Sequence, residues 1–275
     1  MLNQLAHSLT DWRGSEKNVF CWQNTNTLTT TKDPYFVPGL ARGLVALQSF
    51  TPQRQEQSLS DLEKVLGILS SAAFRTVHTL AATGYLLQVP GSTRYRLGPR
   101  ALGLSNGFIA SRELVEVSQQ PLEQLRDDLD WSSHLGVLDR NHVLYLLRYP
   151  ASDGSRSLVH VGSRLIASQT AMGRLLLSHK TEREIRWLMA DASGFEVQSM
   201  LKACAANRRL ETVIHEGEFE AGISSIAAPV RDMSGAVIAA ISATKSSGRI
   251  SKDITARVVT AGNAIGKALG AVDSS

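Results

Sequence analysis

SSAAFRTVHTLAATGYLLQVPGSTRYRL, residues Ser70 to Leu97, starts as a helix, breaks at Gly84 and returns on itself around Pro90-Gly91, with Arg94 and Arg96 on the returning strand. At 100° per residue the helical part puts Ala73, Val77 and Leu80 on one face, with Phe74 and Ala81 beside it. Ala72, Arg75, Thr76 and Thr79 fall on the opposite side. Short side chains around one arginine suit a face laid in the major groove of DNA, where Arg reads guanine and Thr or Ala meets a thymine methyl. Tyr85 to Gln88 and Arg94 to Leu97 read as the two strands of a hairpin, joined through Val89 to Thr93. Helix, glycine break and basic hairpin in that order describe a winged helix-turn-helix.

Upstream, Leu40, Leu44, Val45, Leu47 and Gln48 recur at helical spacing behind Pro38, and this helix ends before Thr51-Pro52. Ser60 with Glu63 reads as a capping box opening a short helix from Asp61 to Leu66, which Gly67 stops. Ser70 or Ser71 offers the N-cap of the next helix, which runs to Thr83. Residues 1–33 are polar and aperiodic, and are expected to form a flexible N-terminal arm.

Charge supports the same segment. The 275-residue chain carries a formal +4, yet residues 1–33 and 106–275 each sum to zero. The excess lies within residues 34–105, where seven basic side chains (Arg42, Arg54, Lys64, Arg75, Arg94, Arg96, Arg100) face three acidic ones (Glu56, Asp61, Glu63). A polyanion would be met there, through phosphate contacts and counterion release. The candidate DNA contacts are therefore Ser70, Ser71, Ala72, Arg75, Thr76 and Thr79 on the helix, with Arg94, Arg96 and Arg100 around the wing.

Beyond Gly98-Pro99 helical character resumes as a linker, and a longer helix is expected from Leu114 to Leu129. Strands are expected at Ser132 to Leu138, Val143 to Arg148, Ser157 to Val161, Ser224 to Pro229 and Ala236 to Thr244. Helices are expected at Gln169 to Ser178, Thr181 to Ala190, Met200 to Arg209 and Ser251 to Leu269. This mixture makes an α+β sensor-type domain.

The composition also excludes classes. No run of about 18 apolar residues occurs, so no membrane partner is expected. Two cysteines, Cys21 and Cys204, make neither a disulfide framework nor a four-ligand zinc site, which fits a reducing cytoplasm. There is no G-x-S-x-G, H-E-x-x-H or G-x-G-x-x-G after a strand, and GNAIGK at Gly262 to Lys267 misses phosphate-loop spacing. The seven histidines include no i, i+4 pair. No enzyme, cofactor or metal is expected.

Three stretches carry a resemblance: GYLLQVPGSTRYRLGPRALGL (Gly84 to Leu104), VGSRLIASQTAMGRLLL (Val161 to Leu177) and EAGISSIAAPVRDMSGAVIAAISATKSSGRIS (Glu220 to Ser251). On these, residues 36–271 resemble the IclR family of bacterial transcriptional regulators. The resemblance implies an N-terminal winged helix-turn-helix, mostly α with a β-hairpin wing, over 34–98. A linker helix over 99–113 and a C-terminal α+β, GAF-like effector-binding domain over 114–275 would follow. It further implies a homodimer or homotetramer on double-stranded operator DNA, with a small-molecule effector changing operator affinity. A repressor of a catabolic operon is expected, the effector being an oxo or hydroxy acid, a semialdehyde or an aromatic acid. An activator, or a sensor acting only through protein partners, is the alternative. Carried over residue by residue, the effector pocket falls on Leu158 and Leu165 as apolar wall, on Ala171, Met172 and Gly173 at a helix start, and on His215, Ser225, Ser242 and Thr244.

The chain departs from the family at Ile68 to Ala73, where the run after the turn glycine is Ile-Leu-Ser-Ser-Ala-Ala, and at Ser168 to Arg174. Small residues at that second site would let a ligand approach the helix start. His215 stands where members often place an acid. It is either a pocket group favouring an anionic or carbonyl ligand, or an exposed loop histidine.

Overall fold

The structure is a computed structural model that describes residues 34–51, 53–104, 113–152, 159–190, 192–216, 222–246 and 249–271. The expected N-terminal arm, Leu158 and most of the linker helix fall outside these residues. The chain divides into two compact units, residues 1–107 and 108–275.

In the first unit, α1 (Pro38–Gln48) begins with Pro38 in its first turn, where a missing N–H costs nothing and the fixed φ favours the helix. Strand β1 (Gln57–Ser58) leads directly into α2 (Leu59–Leu66). The capping box is built from Ser58 and Asp61 rather than Ser60 and Glu63. Asp61 N donates to Ser58 Oγ at 3.2 Å while Asp61 Oδ2 accepts from Ser58 N at 2.9 Å. The shift has a tertiary cause. Ser58 pairs with Arg94 across the sheet, which holds it extended at φ −78°, ψ 166° in N-cap geometry and leaves Ser60 inside the helix.

Gly67, left-handed at φ 60°, ends α2. Helix α3 (Ser70–Ala82) follows a three-residue turn, and its N-cap is Leu69, not Ser70 or Ser71, because the chain is already helical at Ser70. Ala73 and Val77 are fully buried, and Val77 packs with Ala46, Phe50, Leu62, Leu66 and Leu86. Phe74, expected beside this core, is exposed and packs instead on His78, ring centroids 5.9 Å apart. Strands β2 (Leu86–Gln88) and β3 (Arg94–Leu97) form the wing, and β1 adds to the far edge of β3. At Gly98 a Cβ would run into Gly84 O, so only glycine lets the wing close on the end of α3. Residues 100–104 are helical.

The second unit is one six-stranded antiparallel sheet between two helical layers, in the order β6-β5-β4-β9-β8-β7. The strands are β4 (Ser132–Asp139), β5 (His142–Tyr149), β6 (Arg164–Ile166), β7 (Val213–Glu216), β8 (Ile223–Arg231) and β9 (Val237–Ser246). Helices α4 (Glu113–Leu129) and α8 (Lys252–Ala268) cover one face, against Leu135, Ile226, Ala228, Val230, Ile241 and Ala243. The GNAIG stretch explains itself here. A Cβ at Gly262 would lie 2.7 Å from Pro229 O and one at Gly266 3.0 Å from Arg231 O, so the two glycines let α8 lie directly on β8.

On the other face, α5 (Ala171–Ser178), α6 (Glu182–Leu188) and α7 (Gly194–Asn207) build a second core with Val143, Tyr145, Ala227 and Ala240. No strand occupies residues 159–161. The partner of β5 is β6, which starts only after the Gly162 turn, where Gly162 N donates to Tyr145 O at 2.8 Å. Helix α7 starts at Gly194 rather than Met200, because Ser193 and Glu196 form a capping box. No single described helix is long and apolar enough to cross a membrane.

Candidate functional sites

On the first unit, the polar face of α3 is open. Ser70, Ser71, Arg75 and Thr79 are exposed, and Ala72 and Thr76 are half-buried at its edge. The two threonines give their hydroxyl protons to the helix: Thr76 to Ala72 O at 3.1 Å and Thr79 to Arg75 O at 2.8 Å. Their methyl groups remain for contact.

The arginines divide into two kinds. Arg94 donates to Glu56 O at 3.1 Å and lies 3.6 Å from Asp61 Oδ2 and 4.0 Å from Glu56 Oε2. Arg100 donates to Thr83 O at 2.9 Å, closing the end of α3. Both are exposed and also tie parts of the fold together. Arg75 and Arg96 make no hydrogen bond or ion pair among the described residues, and both are exposed.

On the second unit, the face of the sheet under α5 collects the polar residues. Across the strands, His134 on β4 pairs with Ser242 on β9, and Ser242 with Ala227 on β8. Two residues along β9, Thr244 pairs with Ser132 on β4 and with Ser225 on β8, which in turn pairs with His215 on β7. These are two parallel polar rows on one face. Ser242 Oγ lies 3.4 Å from His134 Nδ1, and Ser225 Oγ 3.2 Å from Thr244 Oγ1.

His215 is buried on β7, which removes the exposed-loop alternative. Leu165 is half-buried on β6 and packs into the α5-side core. Ala171, Met172 and Gly173 are all buried at the start of α5. The small Gly173 does not make room for a ligand. The backbone of Ala167 already fills the place of its side chain, and its N–H is capped by Thr170 Oγ1 at 3.0 Å. Met172 instead reaches over the sheet, its Cε 3.2 Å from where a Cβ on Gly136 would stand.

His134, Tyr145 and Arg148 belong to this face and were not among the expected pocket residues. The His134 and Tyr145 rings meet edge to face at 5.6 Å. Burial, reinforced by the nearby Arg148 charge, lowers the His134 pKa to about 3, so the ring is neutral. Burial alone raises the Tyr145 phenol well above its ordinary value. The signal was present in the sequence: in SSHLGVLD, His134 and Gly136 alternate with Leu135 and Val137, which places a polar ring at an inward-facing position of a strand. Among the described residues, no group of His, Cys, Asp and Glu is placed to hold a metal ion.

Residues 107–270 match the family described as bacterial transcriptional regulator IclR C-terminal, and residues 39–90 match the IclR helix-turn-helix domain. The chain is 30% identical over 231 residues to the Pca regulon regulatory protein of Pseudomonas putida, covering 81% of this chain and 79% of that one. It is 28% identical over 228 residues to the p-hydroxybenzoate hydroxylase transcriptional activator of Acinetobacter baylyi, covering 78% and 83%. Its fold superposes with a TM-score of 0.74 on the crystal structure of an IclR homolog complexed with 4-hydroxybenzoate from Microbacterium hydrocarbonoxydans, at 25% identity over 84% of this chain and 98% of that one. With a winged helix-turn-helix in one unit and an α+β sheet domain in the other, the chain belongs to the IclR family of transcriptional regulators.

Proposed function

We propose that this regulator represses an operon for the breakdown of an aromatic acid and is released from its operator when a hydroxylated aromatic acid binds under α5. The carrying observation is the pair of polar rows. The His134–Ser242 and Ser225–Thr244 contacts sit two residues apart on β9, about 7 Å at ordinary strand rise. Apolar Ala227, Ala240, Tyr145 and Met172 surround them. A flat molecule with a polar group at each end meets that pattern. The names of the Pseudomonas and Acinetobacter relatives, and the ligand of the Microbacterium structure, support the same class.

In this reading residues 34–98 bind DNA, residues 99–113 link, and residues 114–275 bind the effector. Arg75 reads bases from α3, with Ser70, Ser71, Ala72, Thr76 and Thr79 around it. Arg96 holds a phosphate from the wing, while Arg94 and Arg100 set its shape. The protein acts in the cytoplasm as a homodimer or homotetramer, since two half-sites must match the repeat of DNA. An activator is the second reading, favoured by the name of the Acinetobacter relative.

Gel shifts of the full chain on the intergenic DNA beside its own gene test this. The expected result is a specific complex that 4-hydroxybenzoate or 3,4-dihydroxybenzoate dissolves. A complex that these acids strengthen or leave in place, with transcription rising when they are added, gives the activator. No specific complex on that DNA removes the operator assignment.

A further inference from the structure

On the α5-side face, Arg148 carries a charge that no ion pair among the described residues answers. On β5 it pairs directly with His134 on β4, which pairs with Ser242 on β9, so the three stand side by side on one face. The side chain is only partly exposed, and its Nε is out of solvent without a hydrogen-bond partner. Among the described residues it has no ion pair. Beside it, the His134 ring is 3% exposed, with Nδ1 at the Ser242 hydroxyl and Nε2 buried without a partner. Two neighbouring buried nitrogens without partners, Arg148 Nε and His134 Nε2, are costly to keep out of water. The two open atoms ask for the same thing.

We propose that Arg148, His134 and Ser242 form a carboxylate subsite that fixes the acid end of the effector. The Ser242 hydroxyl donates to His134 Nδ1, which leaves the ring proton on Nε2. The carboxylate then accepts from Nε2–H and from the Arg148 guanidinium. With the acid end held there, the far end of the ligand falls on the second row, Ser225, Thr244 and His215, which reads a hydroxyl or oxo group. This assignment rests on the effector domain described above, and names the chemistry by which that domain selects acids over their neutral analogues.

Isothermal titration of the full-length protein with 4-hydroxybenzoate, 3,4-dihydroxybenzoate and pyruvate, each against its carboxamide, tests it. Wild type is expected to prefer at least one acid over its amide by about 10-fold or more, the range of a charge-assisted hydrogen bond. Arg148→Gln should lose that preference while still forming the operator complex, Arg148→Lys should keep part of it, and Arg164→Gln, in an ion pair with Asp139 2.9 Å away, should keep all of it. The unliganded melting temperature of Arg148→Gln should equal or exceed that of wild type, because the substitution removes an unpaired charge. Equal binding of acid and amide, or acid binding unchanged in Arg148→Gln, overturns the subsite and leaves the effector domain standing. No binding by any of the three acids overturns the subsite and the aromatic-acid reading together.

Discussion

Arg94 is held by the carbonyl and carboxylate of Glu56 and the carboxylate of Asp61, whereas Arg75 projects from α3 with no partner among the described residues. Their substitutions should therefore separate. Arg75→Ala should leave the melting temperature unchanged and weaken operator binding by ~1–3 kcal/mol, the worth of one bidentate base contact. Retained sequence-specific shifts at wild-type concentrations would remove it as the base reader. Arg94→Ala should lower the melting temperature slightly in low salt and less in high salt, since its ion pairs are half-exposed. The buried, neutral His134 gives a pH dependence of defined sign. Below pH 6.5 the unfolded chain binds a proton that the folded ring refuses until about pH 3, so stability falls as pH drops through that window. The slope is about 1.4 kcal/mol per pH unit for one group. His142 and His179, also lowered by burial, add to it with the same sign. The difference in melting temperature between wild type and His134→Gln from pH 7.5 to 5 isolates the share of His134, and parallel curves would refute it.

Among the elements, α8 shows why two glycines sit in a helix. Gly262→Ala places a methyl 2.7 Å from the backbone carbonyl of Pro229, an atom that cannot turn away, and should destabilise the second unit by ~1–3 kcal/mol in denaturant melts. Gly39→Ala in α1 is the contrast. Nothing lies within 4 Å of its added methyl, and the loss of unfolded-state freedom should stabilise by about 0.4–1 kcal/mol. Equal effects of the two would mean that helix propensity, not packing, decides these positions. The elements also differ in how legible they were. Helix α6 with its Thr181–Glu184 box, α3 with its Gly84 stop and the long strands β8 and β9 were readable, because their signals are local. The short edge strands β6 and β7 were not, since three or four residues carry no periodicity and only the neighbouring strand defines them.

At the scale of the molecule, one unit carries the open polar face of α3 and the other the polar rows, so the two proposed activities should be separable by mutation. Ser225→Ala with Ser242→Ala should leave operator binding at wild-type strength and remove the response to effector, because neither hydroxyl is in the DNA-binding unit. Gel shifts with and without 4-hydroxybenzoate check this, and a double variant that responds normally would move the effector site elsewhere. The sequence by itself determined the order of helices and wing, the basic excess confined to residues 34–105 and the neutral α+β domain after it. Each is a property of neighbours along the chain: periodicity, caps, turn glycines and charge. Only the tertiary structure decided that Ser58 caps α2, that Arg94 and Arg100 donate to Glu56 O and Thr83 O, that the place of a Gly173 side chain is filled by backbone, and that Arg148, His134 and Ser242 stand in one row. The last three residues lie on three different strands, up to 108 positions apart in a single pair, and pairing across a sheet is set by which strands meet, which no local spacing records.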